Sequence, residues 1–165
     1  MSSRLDPEEA LAGPLYAVAA LLVVSPLVDF VLSVPSSELS NVQWRFAAVG
    51  LLSGYTLTPI LGIALAFVIA AFLKQHAVQR WLVAISLSFG AILMALAAGF
   101  LLDMLQLRIS VPRDGQAAFQ SAWMRAIIKL ALSTIALLYM GWRARRMIPA
   151  RSRHRPAKTV HVVSK

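Results

Sequence analysis

Apolar positions in this chain do not alternate with polar ones, nor do they recur as a stripe along one helix face. They run on in four blocks, at about Leu15–Val34, Phe46–Leu73, Trp81–Leu102 and Ala126–Trp142. Each block is close to or longer than the roughly 20 residues an α-helix needs to cross about 30 Å of hydrocarbon. The blocks are rich in Ala and Leu and lack the period of two that a membrane strand requires. In hydrocarbon every backbone amide must bond within its own segment, which helices achieve. Trp44, Trp81, Trp123 and Trp142 lie at block ends, where an amphipathic ring suits the interface. The pattern predicts an all-α integral membrane protein: a four-helix antiparallel bundle spanning residues 1–146, followed by a basic tail, 147–165, expected to be disordered.

Block two is too long for one straight crossing. Its roughly 28 residues would extend about 42 Å at helical rise. Pro59 predicts a bend there, because proline has no N–H to give to the carbonyl one turn back. Within the same block, Gly50 and Gly54 form a GxxxG pair, expected to let another helix approach closely. Ser86/Gly90 and Ala95/Gly99 repeat that small-residue spacing in block three. The connection at Lys74–Arg80 is tight and makes blocks two and three neighbours. Val111–Gly115 reads as a turn, and 116–122 as the start of the fourth helix outside the hydrocarbon. The first block is expected to be retained. It follows a region with Asp6, Glu8 and Glu9 against one arginine, and it is long for the apolar core of a signal peptide.

Composition agrees with the pattern: 59% of residues are hydrophobic and 14% charged. Charge then sets orientation. With four crossings, both termini share a side with the Lys74–Arg80 connection. That side carries eleven of the 16 Lys and Arg residues; the other carries Arg45, Arg108, Arg113 and Arg125, with Lys129 just inside block four. The positive-inside rule puts both termini in the cytoplasm of a multi-pass protein of the plasma (inner) membrane. Residues 143–165 hold eight of the basic side chains and no acid. Such a tail is expected to lie on anionic lipid headgroups. It lacks the interleaved aromatics of a single-strand nucleic-acid binder, and nucleic acid is not the expected partner.

Candidate chemistry is sparse. The chain has no cysteine, and His76, His154 and His161 all lie outside the blocks, so neither thiol chemistry nor a haem held between membrane helices is expected. No HExxH, GxSxG or phosphate-binding glycine loop occurs. No cofactor or metal and no enzymatic activity are expected. What remains is a layer of ionisable residues toward the outer side: Asp29, Arg45, Asp103, Arg125 and Lys129. Charges inside membrane helices normally turn toward the bundle and find partners. Ser25, Pro26, Asp29 and Ser33 are expected to share one face, as are Ala122, Arg125, Lys129 and Ser133. The layer could bind an anionic headgroup or an ion, relay protons, or simply lock the helices. The two halves echo each other, with an acid near the exit (Asp29, Asp103) followed by Trp-Arg (44–45) and Trp-Met-Arg (123–125). So short a match follows equally from shared interface preferences.

The expected function is a non-enzymatic accessory or structural subunit that acts by helix packing, within a homo-oligomer or a larger membrane complex. The alternative is a small oligomeric ion- or proton-coupled transporter using Asp29.

Overall fold

The computed structural model describes residues 7–34, 38 and 40–147, with residues 7–10 described by backbone alone. The basic segment from residue 148 onward, and Arg4 with it, lies outside the described residues. Helix α1 spans Pro7–Ser33, α2 Val42–Tyr55, α3 Leu57–Phe72, α4 His76–Arg108 and α5 Gln116–Met147. A single 3-10 turn, Arg113–Gly115, precedes α5 at the predicted Val111–Gly115 turn. No strand occurs among the described residues.

Three helical stretches are long and apolar enough to cross a membrane: Leu11–Ser33, His76–Arg108 and the segment ending in α5. Helices α2 and α3 together pass the same test across a 42° bend. A bend of that size leaves both halves running in the same general direction, unlike a hairpin that returns to its starting side. The helices also outrun the apolar blocks: α1 begins eight residues before Leu15, and α4 continues past Leu102 to Arg108. Hydropathy marks the span and not the helix, since propagation is favourable for as long as the backbone can keep bonding.

The bend falls at Thr56, three residues ahead of Pro59. Thr56 keeps right-handed helical angles, φ −74° and ψ −29°, so the chain tilts without unwinding. Pro59 explains the position, since the i−4 carbonyl it cannot bond belongs to Tyr55. At its start α2 is capped by Asn41, whose Oδ1 accepts from the backbone N–H groups of Gln43 (2.9 Å) and Trp44 (3.3 Å).

The α3–α4 turn is shorter than the sequence implied, just residues 73–75. It closes as a Schellman motif. The Gln75 N–H donates to the Ala70 carbonyl at 2.9 Å and the Lys74 N–H to that of Ala71 at 3.2 Å. Lys74 sits at the left-handed position, φ 52°, where glycine is usual. Tyr16 of α1 donates its hydroxyl to Oε1 of Gln75 at 2.8 Å, tying α1 to this turn.

The core runs between α3, α4 and α5 through Ile60, Ile63, Leu93, Leu130 and Leu137. Its closest approaches use glycine. A Cβ on Gly62 would lie 2.8 Å from the Ala19 carbonyl oxygen and 2.8 Å from Cγ2 of Val23, so α1 rests directly on α3 there. Gly90 and Gly141 serve the α4–α5 contact in the same way, against Leu138 and Leu87. Ser86 helps by donating to the Leu137 carbonyl at 2.7 Å. Gly54 does not do what its GxxxG spacing suggested. Nothing lies within 4 Å of a Cβ placed on it, and Gly50 meets only the Phe100 ring at 4.0 Å. The bend at Thr56 carries the close packing into α3 and leaves that glycine face of α2 open. Gly99 of α4 is open in the same way.

Helix α1 is the least covered element. It packs on α3 and in part on α2, and among the described residues its backbone does not reach α4 or α5. Only 6% of its most apolar window is buried, against 33% for the α5 segment.

Gly62→Ala forces a methyl group into backbone and is expected to destabilise the protein by about 1–3 kcal/mol. Gly54→Ala meets open space and should be neutral or stabilising by up to about 1 kcal/mol. Thermal unfolding in detergent compares the two. Lys74→Gly should raise stability by about 1 kcal/mol in the same assay, because it relieves the left-handed strain.

Candidate functional site

Of the five ionisable residues expected to form a layer, the structure joins two. Arg45, in the first turn of α2, reaches across to Asp103 near the end of α4. Nη2 donates to Oδ1 at 2.7 Å and Nε to Oδ2 at 3.1 Å. The two bonds make a bidentate fork that fixes orientation as well as distance. Asp103 is buried, at 6% exposure, while Arg45 keeps one side open. Beneath them Phe46 stacks on Phe100 with ring centroids 4.6 Å apart, and on Phe119 of α5 at 5.2 Å. The pair lies at the end of the molecule that carries the α1–α2 and α4–α5 connections.

The other three residues do not join it. Asp29, Arg125 and Lys129 are exposed, and among the described residues no ion pair engages them. The expectation that such charges turn inward is corrected here, and helix phase gives the reason. Helix α5 points Ala126, Leu130, Ser133, Leu137 and Gly141 into the bundle, a spacing of four, three, four and four. Lys129 and Arg125 each precede an inward residue by one position, about 100° round the helix. In α1 the inward positions include Ala19 and Pro26, and Asp29 falls outside that stripe with Ser25 and Ser33. Pro26 is buried while Asp29, three residues on, is exposed, and Ser133 is buried while Lys129, four residues before it, is exposed, so each charge sits at the outer edge of its helix's inward face. A charge at the centre of hydrocarbon costs at least about 2.5–3.5 kcal/mol, less toward the interface.

Side-chain contacts fix the relative heights of these groups. Phe30 meets Tyr55 edge-on, with centroids 6.4 Å apart. Ser133 donates to Oγ1 of Thr56 at 3.0 Å. Asp29, next to Phe30, is thus close to the level of Thr56 and Ser133. Lys129 lies one turn, about 6 Å, beyond Ser133 toward the Arg45–Asp103 end.

The bend holds a buried hydroxyl knot. Ser53 donates to the Gly50 carbonyl at 2.6 Å, and Thr56 to that of Ser53 at 3.1 Å. Ser133 on α5 completes the chain through Thr56. Thr134, beside it, is 7% exposed, and its Oγ1 has no partner. Pro59 located the bend in the sequence, but the link of the hydroxyls around it to α5 was missed. The available signal was a Ser-Thr pair in the middle of block four.

Between α1, α2 and α4 lies a groove of about 520 Å³. Phe30, Val49, Leu52 and Leu96 form its apolar walls, and Trp44 and the Arg45–Asp103 pair its polar end. A second groove, about 340 Å³, lies between α3 and α5 at the opposite end, beside Gln79 and Arg143. Both have the shape and polarity to take a hydrocarbon chain. Among the described residues no group of three or more His, Cys, Asp or Glu side chains could hold a metal.

No protein-family model, curated protein or solved structure matches this chain.

If the fork clamps α2 to α4, Asp103→Asn and Arg45→Gln should each lower the unfolding temperature, and the double variant should lose less than the sum of the two. A double-mutant cycle by thermal unfolding in detergent reads this coupling; strict additivity would show the pair to be idle.

Proposed function

We propose that this chain is a non-enzymatic subunit of a membrane assembly, acting by helix packing against another membrane component or a further copy of itself. The observation that carries this reading is the state of α1. A helix that buries so little of itself, yet carries a carboxylate on its open side, is incomplete as a finished surface. Apolar side chains can face lipid without cost, because lipid is as apolar as they are. Asp29 cannot, and a partner that pairs with it offsets its desolvation.

In this reading the described helices make four antiparallel crossings, with α2 and α3 counted as one bent crossing. Both termini face the cytoplasm and the membrane is the plasma (inner) membrane. Lys74 and Arg80 support that orientation, as do Arg143, Arg145 and Arg146 in the last turns of α5. The Arg146 guanidinium stacks 3.8 Å over the Trp142 ring, an arrangement suited to the headgroup layer. The basic end of the chain then rests on anionic headgroups.

The transporter alternative needs Asp29 to line a path. The groove beside it is lined instead by Arg45 and Asp103, which are already engaged with each other.

Extraction of the full chain from its native membrane in a mild detergent tests the proposal. The expected result is a stable particle larger than the 18.0 kDa chain, containing further copies or a second membrane protein in fixed ratio. The opposite result is a lone chain that, in proteoliposomes, drives a substrate-dependent pH change abolished by Asp29→Asn.

A further inference from the structure

The two uncovered charged faces of this chain complement each other. On α1, Val18, Leu21, Ser25, Asp29 and Leu32 are exposed and spaced three or four residues apart, which makes one continuous stripe with an acid in it. On α5, Arg125, Lys129 and Leu132 are exposed at the same kind of spacing, and this stripe is basic. Within one chain the stripes cannot meet, because α1 packs on α3 and α2 and does not reach α5. Yet they are matched in height. The contacts Phe30–Tyr55 and Ser133–Thr56 put Asp29 within about one helical turn of Lys129 along the bundle. A flexible lysine side chain spans that difference.

We propose that α1 of one copy packs against α5 of a second copy in the same orientation, pairing Asp29 with Lys129 across the interface. The proposal deepens the packing role proposed above and rests on it, naming the partner as this chain itself. A symmetry axis along the membrane normal keeps every residue at its own depth. A pair matched in height within one copy is therefore matched between copies. The contact sets acidic stripe against basic stripe. A two-fold arrangement makes it twice, as an isologous interface, and a ring makes it once per junction, as a heterologous one. Arg125, one turn beyond Lys129 toward the Arg45–Asp103 end, lies on the same stripe and adds to the positive field facing Asp29. Charge complementarity argues for a second copy over an unrelated helix, because one sequence supplies both members at one depth. It also selects α1 against α5, since α1 against α1 would set acid beside acid.

The absence of cysteine from the sequence makes the test clean. Leu32→Cys on α1 and Leu132→Cys on α5 are both strongly exposed, at 79% and 63%, and leave the charges untouched. The two single variants are coexpressed and oxidised in native membranes. The expected product is a disulfide-linked dimer containing one of each chain. It should fall at least several-fold when both chains also carry Asp29→Lys, and return when both carry Asp29→Lys together with Lys129→Asp. Met94→Cys, an exposed position on α4, replaces Leu132→Cys in the control and should give only background. Equal linkage in the control, linkage of Leu32→Cys to itself alone, or linkage indifferent to the charge changes would each overturn the proposal. Should the chain instead copurify in fixed ratio with a different membrane protein and show no such linkage, the packing role survives and self-association fails. A lone monomer in mild detergent and no linkage would remove both.

Discussion

Hydrocarbon offers no hydrogen bonds, and that constraint reaches every part of this molecule. Backbone groups comply by forming helices that run past the apolar blocks at one end or both. Where Pro59 removes a backbone donor at the α2–α3 bend, hydroxyls gather: Ser53 and Thr56 bond to carbonyls of their own helix, and Ser133 reaches in from α5. Charges follow the same rule where geometry allows. Arg45 and Asp103 neutralise each other through a two-bond fork roofed over stacked phenyl rings. Asp29, Arg125 and Lys129 lie where helix phase turns them outward, and the chain alone gives them nothing to pair with among the described residues.

Packing is uneven for a related reason. Between membrane helices the apolar surface gains little by leaving lipid, so tight association depends on close backbone approach and polar links. Helices α4 and α5 have both, in Gly90, Gly141 and the Ser86 bond to the Leu137 carbonyl. Helix α1 has Gly62 under Ala19 and one tyrosine bond to the α3–α4 turn. With the Phe30–Tyr55 ring contact it is attached at the centre and toward both ends, yet most of its surface is left open. An element held in this way can leave its remaining surface to a neighbour without disturbing the core.

Much of this was legible in the sequence, because the solvent imposes coarse rules that composition records. The apolar blocks located the helices, the excess length of Phe46–Leu73 with Pro59 foretold the bend, and Arg45 and Asp103 were both picked out as charges needing partners. What stayed hidden was direction. In a water-soluble helix the polar side marks the outside, but in lipid both sides are apolar, and nothing in the spacing around Asp29 or Lys129 reveals which way they point. The Gly50–Gly54 pair misled for a similar reason: small residues are common in membrane helices, and only the bend decides which of them lie at a contact. The Schellman turn at Lys74 was unreadable because a lysine occupies a position where glycine would have announced it.

The central claim is that lipid, and not water, surrounds the exposed apolar faces. The most direct measurement places a single nitroxide label at Val24, Ile85, Ile92 or Ile135, one at a time, in the chain reconstituted into bilayers. All four are exposed, on three different helices. Collision rates with oxygen and with a water-soluble nickel chelate then report the medium at each site. The account predicts high oxygen contact and near-complete exclusion of nickel at all four. Free access of the nickel chelate to these positions would contradict it.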